Sequence, residues 1–276
     1  MSDQFRMEVK LWGVRGSLPT PLVSHLGYGG NTACVEIRLP GDRSIILDAG
    51  TGIRALGQRM AAEANRDRRI DVFLTHFHWD HIAGLPFFAP LFQPDRLVRF
   101  HAAGNWGPIE TILRAQMAPP YFPVSYERAA ARKEYVELEL RPLKLDEVTI
   151  TPFPLNHPQG ALGFRIEAGG AVVVFATDFE HGDAKLDDTI RESSRHADIL
   201  ICDAQYTPEE YPKFRGWGHT TWTEAVRIAQ DVHARKLVLF HHDPSHTDAH
   251  LNHMAAAARK QFEHTEAARE GSVLRL

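Results

Sequence analysis

Thr75-His76-Phe77-His78-Trp79-Asp80-His81 decides how this chain is read. It follows the apolar run Ile70-Asp71-Val72-Phe73-Leu74 directly, so a short buried strand is expected to end in a loop crowded with imidazoles and a carboxylate. Four of its side chains, His76, His78, Asp80 and His81, are metal-capable. Nitrogen and oxygen donors of this kind are what borderline divalent cations such as zinc take from proteins.

Two neighbouring cations need more donors than one segment supplies, so further histidines and acids are expected just past other buried strands. The chain has them in order. Asn156-His157-Pro158 follows Ile150-Thr151-Pro152-Phe153-Pro154-Leu155, and Pro158 restrains the backbone beside the histidine. Asp178 follows Val172-Val173-Val174-Phe175-Ala176-Thr177, and His241 and His242 follow Leu237-Val238-Leu239-Phe240. Taken singly, each has an ordinary reading as a cap or a loop residue. Repeated along the chain, the device points to one common edge.

With 276 residues and 43% hydrophobic content, the chain can bury a substantial core, and one large α/β domain is the simplest division. A formal charge of -4 provides no broad cationic field, so a small-molecule substrate is expected rather than a long nucleic acid. Cys34 and Cys202 each sit inside an apolar run and read as small buried hydrophobes, not a disulfide. The start, Met1 to Arg6, lacks the pattern of a signal peptide, and no apolar run approaches membrane-spanning length. A cytoplasmic protein without membrane contact is expected.

Strands are predicted at Val9 to Trp12, Ala33 to Leu39, Ser44 to Leu47, Ile70 to Thr75, Val148 to Thr151, Leu162 to Ile166, Ala171 to Ala176, Ile199 to Cys202, Leu237 to Phe240 and Val273 to Leu276. Helices are predicted at Ile53 to Ala64, Lys185 to Ser194, Trp222 to His233 and Ala249 to Phe262. Strand groups with helices between them in both halves suggest two sheets packed face to face with helices outside. Ala102 to Lys133 differs, combining Gly104, Gly107, Pro119, Pro120 and Pro123 with Trp106, Tyr121, Phe122 and Tyr126. That composition describes a structured insertion, serving as a lid over a small ligand or as a homodimer contact.

From about Leu11 to His241 the chain resembles the metallo-β-lactamase superfamily of hydrolases. The resemblance implies a four-layer αββα sandwich in the α/β class, with a dinuclear site of divalent ions, most often zinc with manganese or iron as alternatives. It also implies that His76, His78 and His157 hold the first metal, that Asp80, His81 and His241 hold the second, and that Asp178 bridges them. Asp48, in Leu47-Asp48-Ala49-Gly50-Thr51-Gly52, matches the early acidic motif and is expected to steer a ligand histidine, to cap the Ile53 helix, or both.

The ligand set alone does not name the reaction. Aspartate at 178, where zinc β-lactamases typed by a cysteine ligand carry the thiol, argues against antibiotic hydrolysis. Gly218-His219-Thr220-Thr221-Trp222 resembles the box of the phosphodiesterase branch, which includes ribonuclease Z and cyclic-phosphate phosphodiesterases. Trp12-Gly13-Val14-Arg15-Gly16-Ser17 with Gly29-Gly30-Asn31-Thr32 looks like the same branch. The resemblance implies that His219 faces the scissile phosphate and that Asp203 orients it, although His219 also reads as a helix-start residue bonding Thr220 or Thr221.

The expected chemistry is attack on phosphorus by a hydroxide held between the metals. Asp80 accepts or orients its proton, and His219 stabilises developing charge or protonates the leaving alkoxide. No basic glycine-rich arm of the tRNA-processing kind is found, so a small, possibly cyclic, phosphodiester leads. The alternatives are a lactone or thioester hydrolase on the same metals, with Tyr206 or Tyr211 as oxyanion donor, and a non-catalytic metal-binding sensor. Arg15 reads either as a surface ion pair or as a reach to phosphate. The tract His242, Asp243, His246, His250 and His253 reads as a solvated helix face, because no carboxylate completes a site within it.

Overall fold

Ile45 and Leu47 leave their strand in one direction and Ile46 leaves in the other, yet all three are fully buried. The same holds for Val173 and Phe175 against Val174 and Ala176. Because a strand alternates its side chains between two faces, burial on both faces requires a layer on each side.

A computed structural model describes residues 6–41, 43–63 and 69–276 and supplies those layers. Numbered along the chain, the strands among the described residues are β1 (Glu8–Gly13), β2 (Cys34–Arg38), β3 (Ser44–Leu47), β4 (Arg69–Phe73), β5 (Leu97–Ala102), β6 (Arg132–Glu137), β7 (Leu143–Leu145), β8 (Val148–Leu155), β9 (Ala161–Ala168), β10 (Ala171–Ala176), β11 (Ile199–Asp203), β12 (Leu237–Phe240), β13 (Thr265–Ala267) and β14 (Val273–Arg275). One sheet has the order β14-β1-β2-β3-β4-β5-β6, and the other β13-β12-β11-β10-β9-β8-β7.

Between the sheets lies a core of Val35, Ile37, Leu47 and Phe73 from the first and Phe164, Ile166, Phe175 and Phe240 from the second. Each fully buried side chain of this size contributes roughly 1.5–3 kcal/mol of transfer free energy. The helices Ile53–Ala62 and Ile109–Gln116 cover the outer face of the first sheet through Leu56, Met60 and Leu113. The helices Ala184–Ser194, Trp222–Asp231 and Asp248–Gln261 cover the second through Ile190, Val226, Ile228 and Leu251. The expected αββα sandwich is therefore the fold.

Several boundaries differ from the sequence reading. The first helix ends at Ala62, and Ala64 and Met1 to Phe5 lie outside the described residues. Arg132 and Lys133, placed in the insertion by composition, open β6, a parallel edge strand beside β5. Its charged residues hid the strand but suit an edge, where Glu134 pairs with Arg99 at 2.7 Å. Cys34 and Cys202 are free and buried, as read. No helix among the described residues is long and apolar enough to cross a membrane.

Topology fixes where the site forms. β3 and β4 are parallel, as are β10, β11 and β12, while β8 runs in the sense of β10 through two antiparallel pairings with β9. The carboxyl ends of these strands therefore gather at one edge of each sheet. Asp48, Asp178 and His241 lie just past strand ends with φ of 58°, 61° and 60°. Left-handed backbone at non-glycine residues is costly and survives where the surroundings enforce it.

Candidate metal centre

His76, His78 and His157 converge, and so do Asp80, His81, Asp178 and His241, each group with one donor atom per residue within 4.8 Å of the others. Nε2 of His81 lies 3.3 Å from Asp178 Oδ2 and 3.2 Å from His241 Nε2. Asp80 Oδ2 lies 3.2 Å from His241 Nε2, and Asp178 Oδ1 is 3.3 Å from the same nitrogen. Asp178 also approaches the first group, at 3.9 Å from His76 Nε2. The structure thus brings all seven sequence-selected side chains into one cluster.

Anchors behind the rings decide which nitrogen faces inward. Nδ1 of His81 is 2.8 Å from Asp48 Oδ2, Nδ1 of His241 is 2.8 Å from Gln205 Oε1, and Nδ1 of His157 is 2.9 Å from the Gly218 carbonyl. Nδ1 of His76 is 2.9 Å from the Thr75 hydroxyl, which itself donates to Asp48. An acceptor at Nδ1 holds the proton there and leaves Nε2 as a lone pair directed into the cluster. His78 is reversed: Nε2 is 3.2 Å from Gln159 Oε1, and Nδ1 faces Nε2 of His157 at 3.2 Å.

Glycines permit this packing. A Cβ on Gly16 would stand 2.2 Å from Nδ1 of His241, and one on Gly50 would stand 2.2 Å from the Asp80 carbonyl. Gly218 has φ of 85°, and a Cβ there would meet Nδ1 of His157 at 2.2 Å. Ser17 N–H donates to Asp80 Oδ2 at 2.7 Å, so the amino-terminal Gly-Ser pair braces two members of the cluster.

Electrostatics favour a cation in the cluster. Burial opposes charge on Asp80, but His81 and His241 hold its carboxyl well below the carboxylate range. Burial likewise opposes charge on Asp178, and His241 and His81 hold it low. Against its own burial, His81 is held well above the ordinary imidazole value by Asp178, Asp80 and Asp48. Burial keeps His76 neutral and lowers His157 to about 4. The carboxylates thus demand positive charge, while two adjacent imidazoles offer neutral lone pairs. Nε2 of His76 is buried without a hydrogen-bond partner among the described residues. An orphaned nitrogen beside carboxylates and convergent imidazoles is a donor set that divalent ions of the zinc class fit.

His219 stands beside the cluster with its ring stacked on His241 at 4.8 Å and its Nδ1 2.9 Å from Asp203 Oδ2. It does not serve as a helix cap: Thr221 caps the next helix. Asp48 does not cap either, since the helix at Ile53 has no side-chain cap. The sequence reading missed Gln205 and the Gly218 carbonyl. Gln205 lies two residues past Asp203 at the end of β11, and that placement was its only signal.

Other candidates resolve differently. The Arg15 guanidinium is fully buried and donates to the carbonyls of Gly29 and His246 at 2.8 and 2.7 Å, away from any surface ion pair. Tyr206 is buried with its hydroxyl 3.2 Å from Gln205 Nε2, and Tyr211 donates to Glu180 at 2.8 Å. His242 and His246 are buried, which corrects the solvated reading of that tract; only its later part, with exposed His253, faces water. Next to the cluster, a cavity of about 200 Å³ is lined by His76, Phe77, His78, Trp106, Ile112 and Gln159.

An αββα sandwich with histidines and aspartates gathered at one edge of its two sheets defines a class of metal-binding hydrolase folds. The model of the beta-lactamase superfamily domain matches residues 43–242, and the chain belongs to that superfamily. Ribonuclease Z of Thermoplasma acidophilum is 25% identical, over 94% of this chain and 93% of that protein. The metallo-beta-lactamase fold protein YhfI from Bacillus subtilis superimposes with a TM-score of 0.74 at 21% identity, covering 98% of this chain and 99% of that one. A diphosphatase from the PhnP family superimposes with a TM-score of 0.71 at 20% identity, covering 98% of each chain.

Proposed function

We propose that this chain is a metal-dependent phosphodiesterase acting on a small phosphodiester. In this reading His76, His78 and His157 hold one divalent ion, Asp80, His81 and His241 hold another, and Asp178 lies between them. Zinc is the first expectation, with manganese or iron as alternatives. When bound, the ions supply Lewis acidity toward a phosphoryl oxygen and acidify water toward neutrality.

The observation that carries the reading is the His219–Asp203 pair. The His219 ring stacks on His241, and with Nδ1 committed to Asp203 the nitrogen left for a ligand is Nε2. A protonated His219 held this way donates to the oxygen of the leaving alkoxide, which is the proton transfer a phosphodiester requires. In this reading Asp80, tied to Ser17 N–H, orients the attacking water or accepts its proton. The names of two relatives, a ribonuclease Z and a diphosphatase, lend support from outside the chain.

The cavity supports a small substrate. About 200 Å³ is below the usual range for a drug-sized ligand, and Trp106 against Phe77 presents aromatic surface to a ring. In this reading the substrate is a small cyclic phosphate or a cyclic nucleotide whose base meets Trp106 and Phe77. The donation of the Tyr211 hydroxyl to Glu180 weighs against a lactonase that needs that phenol free. The test is a panel of chromogenic phosphodiesters, cyclic nucleotides, lactones and thioesters offered to the metal-loaded protein. Turnover of phosphodiesters alone is expected; turnover of lactones or thioesters alone overturns the reading.

A further inference from the structure

Among the described residues, a further set of metal-capable side chains converges outside the centre described above. Glu210 Oε1 and Oε2 lie 3.0 and 3.2 Å from Nε2 of His246. The rings of His246 and His250 stack at 3.9 Å between centroids with 15° between planes. One donor atom from each of the three lies within 4.8 Å of the others. The carboxylate that the histidine tract lacks along the sequence is thus delivered from 36 residues away.

We propose that Glu210, His246 and His250 form a separate site for a divalent transition metal of the zinc class, fastening the loop after β11 to the loop after β12 and to the helix Asp248–Gln261 that follows it. His246 is 2% exposed, and its Nδ1 has no hydrogen-bond partner among the described residues. A histidine pair that merely faces water does not bury one ring and turn its Nε2 to a carboxylate from another loop. Two imidazoles and a carboxylate are a three-ligand set that leaves a fourth position for water, and half-buried Glu210 and His250 keep it reachable from solvent. Imidazole donors select zinc, nickel, cobalt or copper over magnesium and calcium.

Further bonds hold the Glu210 carboxylate and the backbone at His246 and His250. Thr207 N–H donates to Glu210 Oε2 at 2.8 Å, Arg15 donates to the His246 carbonyl at 2.7 Å, and His250 N–H donates to the Thr247 hydroxyl at 3.3 Å. None of the three residues belongs to the first centre, so the inference stands apart from the proposed reaction. Its consequence reaches that centre all the same. The two loops it fastens carry Gln205 and His241, which meet at 2.8 Å.

The experiment is zinc titration of the full chain after chelator treatment, with stoichiometry read by calorimetry and by mass spectrometry of dialysed protein. Glu210→Gln and His250→Ala are each expected to bind one equivalent fewer than wild type, with far-UV circular dichroism unchanged. His253→Ala, altered at the exposed neighbour on the same helix, is expected to bind as wild type does. Equal stoichiometry in wild type and both site variants overturns the proposal, and so does an equal loss in His253→Ala. His76→Ala run in parallel separates the two centres. If it loses no metal while His250→Ala loses one equivalent, the first centre is misread and this one stands.

Discussion

Asp203 Oδ2 lies 2.9 Å from Nδ1 of His219, and the same oxygen accepts the backbone N–H of Asp178 at 3.0 Å. One fully buried carboxylate therefore holds both the imidazole beside the cluster and the strand end that delivers the central aspartate. The two duties are separable by mutation.

His219→Ala removes the imidazole and leaves Asp178 held. Turnover of a phosphodiester is expected to fall about 10²- to 10³-fold, the cost of removing one preorganised donor, while bound metal is unchanged. Asp203→Asn disturbs both contacts and is expected to lower turnover and metal content together. Kinetics paired with metal analysis checks this. Parallel loss of metal and activity in His219→Ala contradicts the role given to that histidine.

Gln205 acts through His241. Gln205→Leu removes the acceptor at Nδ1 and is expected to weaken metal binding about 10- to 100-fold, as loss of an outer partner of a ligand histidine does. Gly16→Ala attacks the same ring by another route, since its Cβ would stand 2.2 Å from Nδ1 of His241. Competition against a chromogenic chelator measures both. Wild-type affinity in both variants excludes His241 as a ligand.

His242, next to His241, predicts a pH effect on stability. It is fully buried, and burial lowers it to about 3. The folded value lies below the unfolded one, about 6.5, so between these limits the unfolded chain binds the additional proton. Its contribution is complete above the unfolded value and is lost as pH falls toward the folded one, by about 2 kcal/mol at pH 5. His242→Gln, which can still donate to the Ala268 carbonyl that Nε2 now meets at 2.9 Å, is expected to flatten the acid limb of stability by about one proton. Thermal unfolding at several pH values reads it, and equal slopes in variant and wild type contradict the assignment.

Most buried strands were legible from apolar runs that end in a histidine or an aspartate, as in Phe240-His241, whereas β5 was missed because Arg99 and His101 break its apolar pattern. β6 was not legible, because Arg132, Lys133, Glu134 and Glu137 surround Tyr135 and Val136 and leave no apolar run in this edge strand. Gln205 was hidden for a different reason: a neutral amide two residues past a strand carries no periodic or charge signal, and only the fold turns it toward His241. Arg15 misled by type, since a charged side chain suggests surface or substrate, and its burial rests on backbone carbonyls from distant loops. Glu210 and His246 share no local pattern either; their meeting is a property of two loops brought together by parallel strands.

The central claim is that hydrolysis here depends on divalent ions held by His76, His78, His157, Asp80, His81, Asp178 and His241. Turnover of a small phosphodiester by protein stripped with a chelator, verified metal-free by mass spectrometry and then reloaded with zinc or manganese, tests it most directly. The expected result is loss of activity on stripping and its return on reloading in wild type, with no return in His81→Ala. Undiminished turnover by the metal-free protein contradicts the account.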